Sequence, residues 1–276
     1  MFDINPMYKS LLVGAVLAIL WALEAIYPMF HFKKGRVKHD ASNITLGVLN
    51  AILVGFIFAG LIVSVTEWAA KEQFGLLNIW ALNPYVELLI GVLMFDCWQY
   101  CWHRLNHKVG FFWRFHAVHH SDAAMGASTA VRFHTVEIIY SASIRLLVLP
   151  LLGLSVSQLV VYELILLPII LFHHSNIAIP AMLDKCLRVF IVTPRMHWVH
   201  HSHIKEETDS NYSSLLSVWD RLFASFRLKE DPQNIRLGLG DEFDQLARGS
   251  LLGILKQPFN KKLYATSSQK DKASIS

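Results

Sequence analysis

The sequence comprises 276 residues, of which 54% are hydrophobic and only 17% are charged, and its mean hydropathy is +0.38. Soluble domains normally carry about 25% charged residues, so the composition excludes an ordinary soluble domain and indicates an integral membrane protein. The net charge of +4 is mild, and no basic stripe interleaved with aromatic residues supports nucleic-acid binding. We expect the chain to form one membrane-embedded unit, residues 1–276.

The first two apolar segments, residues 10–30 and 45–65, are long enough to cross a bilayer, which requires about 20 residues. The basic sequence HFKKGRVKHD between them is typical of the cytoplasmic side of a membrane. The next polar stretch, residues 67–84, contains a single basic residue and therefore fits the opposite side. Residues 1–84 are accordingly predicted to form membrane anchor spans.

A third span is predicted over residues 86–102, which returns the chain to the side of the basic segment. Residues 138–153 and 156–172 predict a helical hairpin, and a re-entrant hairpin is an alternative to two full spans because each arm is short. The polar residues 256–276 are typical of a disordered tail. The predicted fold class is all-α, an integral membrane helical bundle with a cytoplasmic, histidine-rich catalytic cap.

Three histidine motifs, HRLNH, HAVHH and HWVHH, occur along the chain. Their imidazoles are three or four residues apart, which places them on one face of a helix. Eight imidazoles exceed the roughly four ligands of one zinc ion, so the motifs predict two adjacent metal ions. Imidazole binds zinc, copper, iron and nickel alike, so the spacing does not select the metal. The motif histidines are His103, His107, His116, His119, His120, His197, His200 and His201.

Two further histidines, His134 and His174, are candidates to complete the ligand set. His173 is predicted to be a bystander, because adjacent residues on a helix point about 100° apart. The remaining histidines, His31, His39 and His203, lie outside the motifs, and His39→Ala is expected to be nearly silent.

Metal-binding histidines usually donate their second N–H to a carboxylate or a carbonyl group. Asp96 stands out, because an aspartate inside a predicted span requires a structural or functional reason. The candidate residues around the metal ligands are Asp96, Tyr100, Asp122, Glu137, Asp209 and Asp220.

At these residues the chain resembles the fatty acid hydroxylase and sterol desaturase superfamily of membrane non-haem di-iron enzymes. The resemblance covers about residues 96–226 and is carried by DCWQYCWHRLNH, WRFHAVHHSD, TAVRFHTVE, HHSN, TPRMHWVHHS, TDSNY and WDRLF. It implies two iron ions held by the eight motif histidines and His174. His134 matches an additional family histidine, although Thr135 replaces the proline that usually follows.

The resemblance also implies O2-dependent oxidation of a lipid C–H bond, by hydroxylation or desaturation. Ether-lipid cleavage is an alternative within the class, and a di-zinc membrane hydrolase is an alternative outside it. The sequence contains no dinucleotide fingerprint and no haem or iron–sulfur domain, so the expected partners are a lipid substrate, O2, the bilayer and a separate electron-donor protein. The compact chain favours a bacterial inner membrane, with the endoplasmic reticulum as the alternative; the particular lipid stays open.

Overall fold

The computed structural model describes residues 6–31, 35–240, 243, 250–261 and 263–264. These residues are predominantly helical, and among them β-structure is limited to three isolated bridges. This confirms the predicted all-α class.

In the described parts of the chain, five long helices form the body of the molecule, and six short helices carry or connect the histidine motifs and the loops around them. The long helices are α1 (Pro6–Ile26), α2 (Arg36–Lys71), α3 (Pro84–Lys108), α5 (Thr135–Leu152) and α6 (Val156–His174). The short helices are α4 (Gly110–His120), α7 (Ala181–Leu187), α8 (Pro194–His200), α9 (Lys205–Thr208), α10 (Val218–Leu222) and α11 (Leu251–Lys256). Single 3-10 turns cover Leu76–Ile79, Ala127–Val131, Pro232–Asn234 and Gln257–Phe259.

Among the described residues, four stretches are long and apolar enough to cross a membrane: Lys9–Ile26, Arg36–Ile79, Thr135–Leu152 and Val156–His174. Helix α3, predicted above as the third span, is not among them, because polar residues such as Glu87 and Asp96 interrupt its apolar sequence. The two arms of the predicted hairpin, in contrast, both reach spanning length. The candidate membrane spans therefore lie in α1, α2 and the α5–α6 hairpin, and α3 packs against α5 and α6.

Local signals explain the turn of the hairpin. Helix α5 ends at Gly153, whose φ of 78° is a left-handed conformation that glycine adopts without a steric penalty. Helix α6 then begins with a capping box, in which Ser155 Oγ accepts from Gln158 N and Gln158 Oε1 accepts from Ser155 N. The tight turn makes α5 and α6 antiparallel neighbours.

The end of α1, the beginning of α2 and the end of α6 meet at one end of the bundle. Pro28 and Ile177 form an antiparallel bridge there, and Arg36 pairs with Glu24 at 2.6 Å. Helix α2 begins nine residues before the predicted span, so Arg36 belongs to its first turn. Lys33 and Lys34 of the predicted basic segment lie outside the described residues.

The opposite end of the bundle is closed by apolar packing of the hairpin turn. The buried core there joins α3, the hairpin and the turn before α3, and its members include Leu77, Phe95, Leu149, Leu154, Leu159, Tyr162 and Leu166. This core fixes the long helices at one end and leaves the histidine motifs at the other.

The first residues of the predicted tail, 256–259, are helical and pack against the body of the protein. Gln257 is completely buried, accepts a hydrogen bond from Ser121 Oγ at 3.0 Å and donates one to Ala117 O at 3.3 Å. These partners pin residues 257–259 to the end of α4. Residues 265–276 of the predicted tail lie outside the described residues.

Candidate metal centre

Nine histidines converge into two adjacent groups. Within each group, every residue offers a ligand atom that lies within 4.8 Å of the ligand atoms of all the others. The five-histidine group comprises His103, His107, His116, His120 and His200. The four-histidine group comprises His119, His174, His197 and His201. The structure thus brings together all eight motif histidines and His174.

Each H-x-x-H-H motif is divided between the two groups. In HAVHH, the first and last histidines join the five-histidine group, and the middle one, His119, joins the four-histidine group. In HWVHH the assignment is reversed, because His200 is the member that joins the five-histidine group. Helix geometry explains the division, since positions i and i+4 lie about 40° apart around the axis whereas neighbouring positions lie about 100° apart.

The ε-nitrogens face one another at a spacing suited to shared coordination. In the five-histidine group, His103 Nε2 lies 3.2 Å from His116 Nε2 and 3.0 Å from His200 Nε2. In the four-histidine group, His174 Nε2 lies 3.0 Å from His119 Nε2 and 2.9 Å from His197 Nε2. Two nitrogens at right angles and about 2.1 Å from one ion are separated by about 3.0 Å, so both groups fit a transition-metal ion.

Burial favours the neutral form of several of these imidazoles. Desolvation lowers the pKa of His200 to about 3, and burial beside other imidazoles lowers the pKa of His119 and His201 well below the usual range. Only the neutral ring has a lone pair available for a metal ion. A set of neutral, buried nitrogen donors is suited to bind a cation.

Four δ-nitrogens in the five-histidine group have a nearby acceptor. His103 Nδ1 donates to Tyr212 O at 2.7 Å, and His200 Nδ1 donates to Ser210 O at 2.6 Å. His116 Nδ1 lies 2.7 Å from Glu137 Oε1. His107 Nδ1 lies 3.5 Å from Asp209 Oδ1, which is too long for a strong hydrogen bond. The acceptors of His103, His116 and His200 fix the orientation of these three rings.

The four-histidine group is supported differently. His174 Nδ1 donates to Ile170 O at 2.8 Å, one turn earlier on α6. Within the described part of the chain, the δ-nitrogens of the other three members have no hydrogen-bond partner. Stacking holds two of those rings: Phe133 lies on His119 at 4.3 Å, and His120 of the neighbouring group lies on His201 at 4.3 Å.

Only some of the candidate residues predicted around the ligands lie beside a grouped histidine. Glu137 contacts a histidine of the five-histidine group directly, and Asp209 lies near another while pairing with Lys108 at 2.7 Å. Asp96 accepts hydrogen bonds from Tyr162 Oη, Trp219 Nε1 and Leu216 N. Tyr100 contacts Ser225 Oγ, and Asp220 accepts from Tyr212 N and Ser213 N. These last three residues support the surrounding loop and do not touch a grouped histidine in the described contacts.

His134 lies outside both groups. It caps α5: Val136 N donates to His134 Nδ1 at 3.2 Å, and His134 Nε2 donates to Leu255 O at 3.2 Å. Both ring nitrogens therefore have partners other than a metal. His173 also lies outside the groups, although its ring is buried 4.1 Å from that of His197.

His39 has a larger structural role than the sequence indicated. His39 Nε2 lies 2.8 Å from Asp122 Oδ1, and His39 Nδ1 lies 3.0 Å from Asp40 Oδ1. Burial alone would raise the pKa of Asp122, but the ion pair with His39 and the nearby Arg132 lower it below the usual range. A lone histidine ahead of the motifs has no spacing signal that would reveal this pair.

The profile of the fatty acid hydroxylase family matches residues 88–225, half of the chain and close to the predicted segment. The chain belongs to this family. It is therefore an enzyme of the oxygenase class, as predicted from the motifs. No solved structure gives a significant match.

Curated relatives include the ornithine lipid hydroxylase of Rhizobium tropici, which is 26% identical over 94% of this chain and 78% of the relative. The human alkylglycerol monooxygenase is 27% identical over 82% of this chain, which spans about half of that relative (48%). The cholesterol 25-hydroxylase-like protein of Danio rerio is 25% identical over 52% of this chain and 56% of the relative. These relatives are lipid hydroxylases and monooxygenases.

Proposed function

We propose that the chain is a membrane-bound di-iron oxygenase that hydroxylates or desaturates a C–H bond of a lipid, using O2 and electrons from a separate donor protein. The observation that carries the proposal is the convergence of nine buried histidines into two groups, each with the spacing of ligands around one ion. Iron is proposed over zinc because the family consists of oxygenases, and O2 activation requires a redox metal.

The donor set fits two transition-metal ions, because all nine ligands are imidazole nitrogens, which suit iron as well as zinc or copper. Bound iron would supply the activation of O2 and the oxidation of the C–H bond. The protein holds the ligands in place and excludes water: His120, His200 and His201 are completely buried. Glu137 Oε1 accepts a hydrogen bond from His116 Nδ1, and this bond strengthens the imidazole as a metal ligand.

The substrate is proposed to be an apolar chain or headgroup of a membrane lipid. The ornithine lipid hydroxylase matches nearly the whole chain, which favours a lipid with an amino-acid headgroup as the first substrate to test. The alkylglycerol monooxygenase favours a second candidate, an ether lipid oxidised beside its ether oxygen. Either lipid would have to enter from the bilayer and place one of its C–H bonds at the metal centre.

We infer that the metal centre faces the cytoplasm, of a bacterial inner membrane in the first instance. Two observations support this: the groups lie at the end of the bundle where α1 ends and α2 begins, and Arg36 and Lys38 lie in the first turn of α2. Basic residues flanking spans favour the cytoplasmic side. Labelling a cysteine introduced at exposed His203, in a background in which Cys97, Cys101 and Cys186 are replaced by serine, tests this orientation in intact inverted and right-side-out vesicles.

The reaction class is tested with the full chain purified in nanodiscs, loaded with iron and supplied with a chemical reductant and 18O2. Ornithine lipid and alkylglycerol are offered separately, and products are analysed by mass spectrometry. Hydroxylation predicts one 18O per product, and desaturation predicts a loss of two hydrogens without label. Oxygen incorporated only from H2 18O, with zinc as the supporting metal, would contradict the proposal and favour the di-zinc hydrolase.

A further inference from the structure

The loop segment of residues 210–213, hereafter the carbonyl segment, lies against the five-histidine group. Two of its backbone oxygens accept from two ligands: Ser210 O from His200 Nδ1 and Tyr212 O from His103 Nδ1. A histidine whose Nδ1 is held in this way keeps its Nε2 lone pair free and its ring orientation fixed. One short stretch of backbone thus orients ligands from two different helices, α3 and α8.

Asn211, between the two carbonyl groups, anchors the carbonyl segment. Its side-chain Nδ2 donates to Met196 O at 2.9 Å and to Arg227 O at 2.7 Å, and its Oδ1 accepts from Arg227 N at 2.8 Å. The residue is completely buried, and its φ of 50° is a left-handed conformation that asparagine tolerates better than most residues. Because Met196 belongs to α8, Asn211 ties the carbonyl segment to the helix that carries His200.

Asp220 provides a second anchor from α10. Its carboxylate accepts from Tyr212 N at 2.7 Å and from Ser213 N at 3.1 Å, and Ser225 Oγ donates to it at 2.8 Å. Asp220 is completely buried, so these bonds are shielded from water. Asp220 therefore fixes the orientation of the peptide N–H groups of Tyr212 and Ser213.

The backbone oxygens of the carbonyl segment accept hydrogen bonds from histidines of one group only. The single δ-nitrogen bond found in the four-histidine group goes to Ile170 O, inside α6. Neither Asn211 nor Asp220 has a described hydrogen bond to a histidine of that group. Loosening the carbonyl segment is therefore expected to free His103 and His200 and to leave the other four ligands in place.

We propose that Asn211 and Asp220 are positioning residues that make metal binding by the five-histidine group depend on the carbonyl segment, independently of the four-histidine group. The inference rests on the proposed function, since it requires that both groups bind metal. It assigns a role to the TDSNY and WDRLF motifs, which carry no ligand. Loss of such partners typically weakens metal binding by about 10–100-fold.

The test is a Co2+ titration of the full chain in nanodiscs, followed by absorbance and by competition with a chelator. The variant Asn211→Gly deletes the carboxamide and permits the left-handed backbone. Its matched control is Asn78→Gly, because Asn78 Nδ2 also donates to two backbone oxygens, Phe74 O and Ala69 O, at the far end of the bundle. Asp220→Asn is the second variant, and it tests the role of the carbonyl segment if Asn211→Gly does not fold.

The wild type and Asn78→Gly should bind two Co2+ ions per chain, and Asn211→Gly and Asp220→Asn should bind one of them about 10–100-fold more weakly. In a background that carries both His103→Ala and His200→Ala, Asn211→Gly should leave the affinity of the four-histidine group unchanged, which a general loss of structure would not. Equal weakening of both sites, or no weakening of either, overturns the inference while the proposed function stands. A wild type that binds no metal overturns both.

Discussion

The two histidine groups use the same motifs but hold their rings by different means. In the five-histidine group, individual δ-nitrogens are bound by fixed acceptors: Glu137 and two backbone carbonyl groups. In the four-histidine group, one δ-nitrogen is bound by its own helix, and the ring of His119 is held by stacking on Phe133. Hydrogen bonds orient three rings of the five-histidine group, whereas packing contributes more to the orientation of the rings in the four-histidine group.

The backbone that follows two of the histidine motifs is fixed from a distance by α1 and α2. Glu24 Oε1 accepts from Asn176 N, two residues after His174 of the four-histidine group, and from Ala127 N. His39 on α2 holds Asp122, which follows His119 of the four-histidine group and His120 of the five-histidine group. Buried charges on the first two helices therefore support the ends of the helices that carry ligands of both groups.

The largest effects should follow removal of one ligand from each group. His119→Ala and His200→Ala should both abolish turnover and lower the bound metal from about two ions per chain towards one. The loss should be more complete in His119→Ala, because three ligands remain in its group compared with four in the other. Metal quantification and product analysis measure both effects.

The control for this pair is His203→Ala, since the His203 ring is exposed and lies outside both groups. It should keep wild-type metal content and turnover. Two bound ions in both His119→Ala and His200→Ala would contradict the assignment of the ligands, whatever happened to turnover.

A smaller effect is expected at the carboxylate that distinguishes the five-histidine group. Glu137→Gln keeps the shape but removes the negative charge beside His116, so one metal should bind about 10–100-fold more weakly and the other should be unaffected. Chelator competition measures the two affinities. Glu163→Gln, on α6 and paired with Lys9, is the matched control; equal loss in both variants would show that Glu137 has no special role.

The sequence predicted the parts of the centre that depend on helical spacing. The i, i+4 and i, i+3 positions of the motifs are set by helix geometry, so His116 and His120 could be grouped in advance. The oxygen acceptors at Ser210 and Tyr212 could not, because every residue has a carbonyl group and only the folded loop selects two of them.

Two further predictions meet tertiary contacts that the sequence pattern does not reveal. His134 shares residue type and neighbourhood with the ligands, and the first turn of α5 uses its Nδ1 as a cap, while its place in the ligand set stays a prediction. Helix α3 was predicted to span from its apolar residues, and its Asp96 accepts from Tyr162 and Trp219. In both regions a tertiary contact adds a constraint that the local pattern does not show.

The ion pair between His39 on α2 and Asp122 tests how α2 supports the end of α4, which carries ligands of both groups. His39→Ala leaves the nearly completely buried Asp122 without its cationic partner, and we expect a loss of about 2 kcal/mol in the free energy of unfolding, since Asn43 and Thr129 still donate to the carboxylate. Thermal unfolding in detergent measures it. Adding Asp122→Asn should recover part of the loss; a fully stable His39→Ala would restore the original expectation that this residue is silent.

The smallest expected effect concerns His134 and separates a helix cap from a metal ligand. His134→Ala removes the acceptor for Val136 N and should cost about 1 kcal/mol of stability, with the metal content of both groups unchanged. His134→Asn should restore most of that stability, because asparagine is among the best N-cap residues whereas it replaces a histidine ligand poorly. Parallel unfolding and metal measurements on the two variants decide the point: metal loss in both would place His134 in the centre, and stability rescued by asparagine alone confines it to the start of α5.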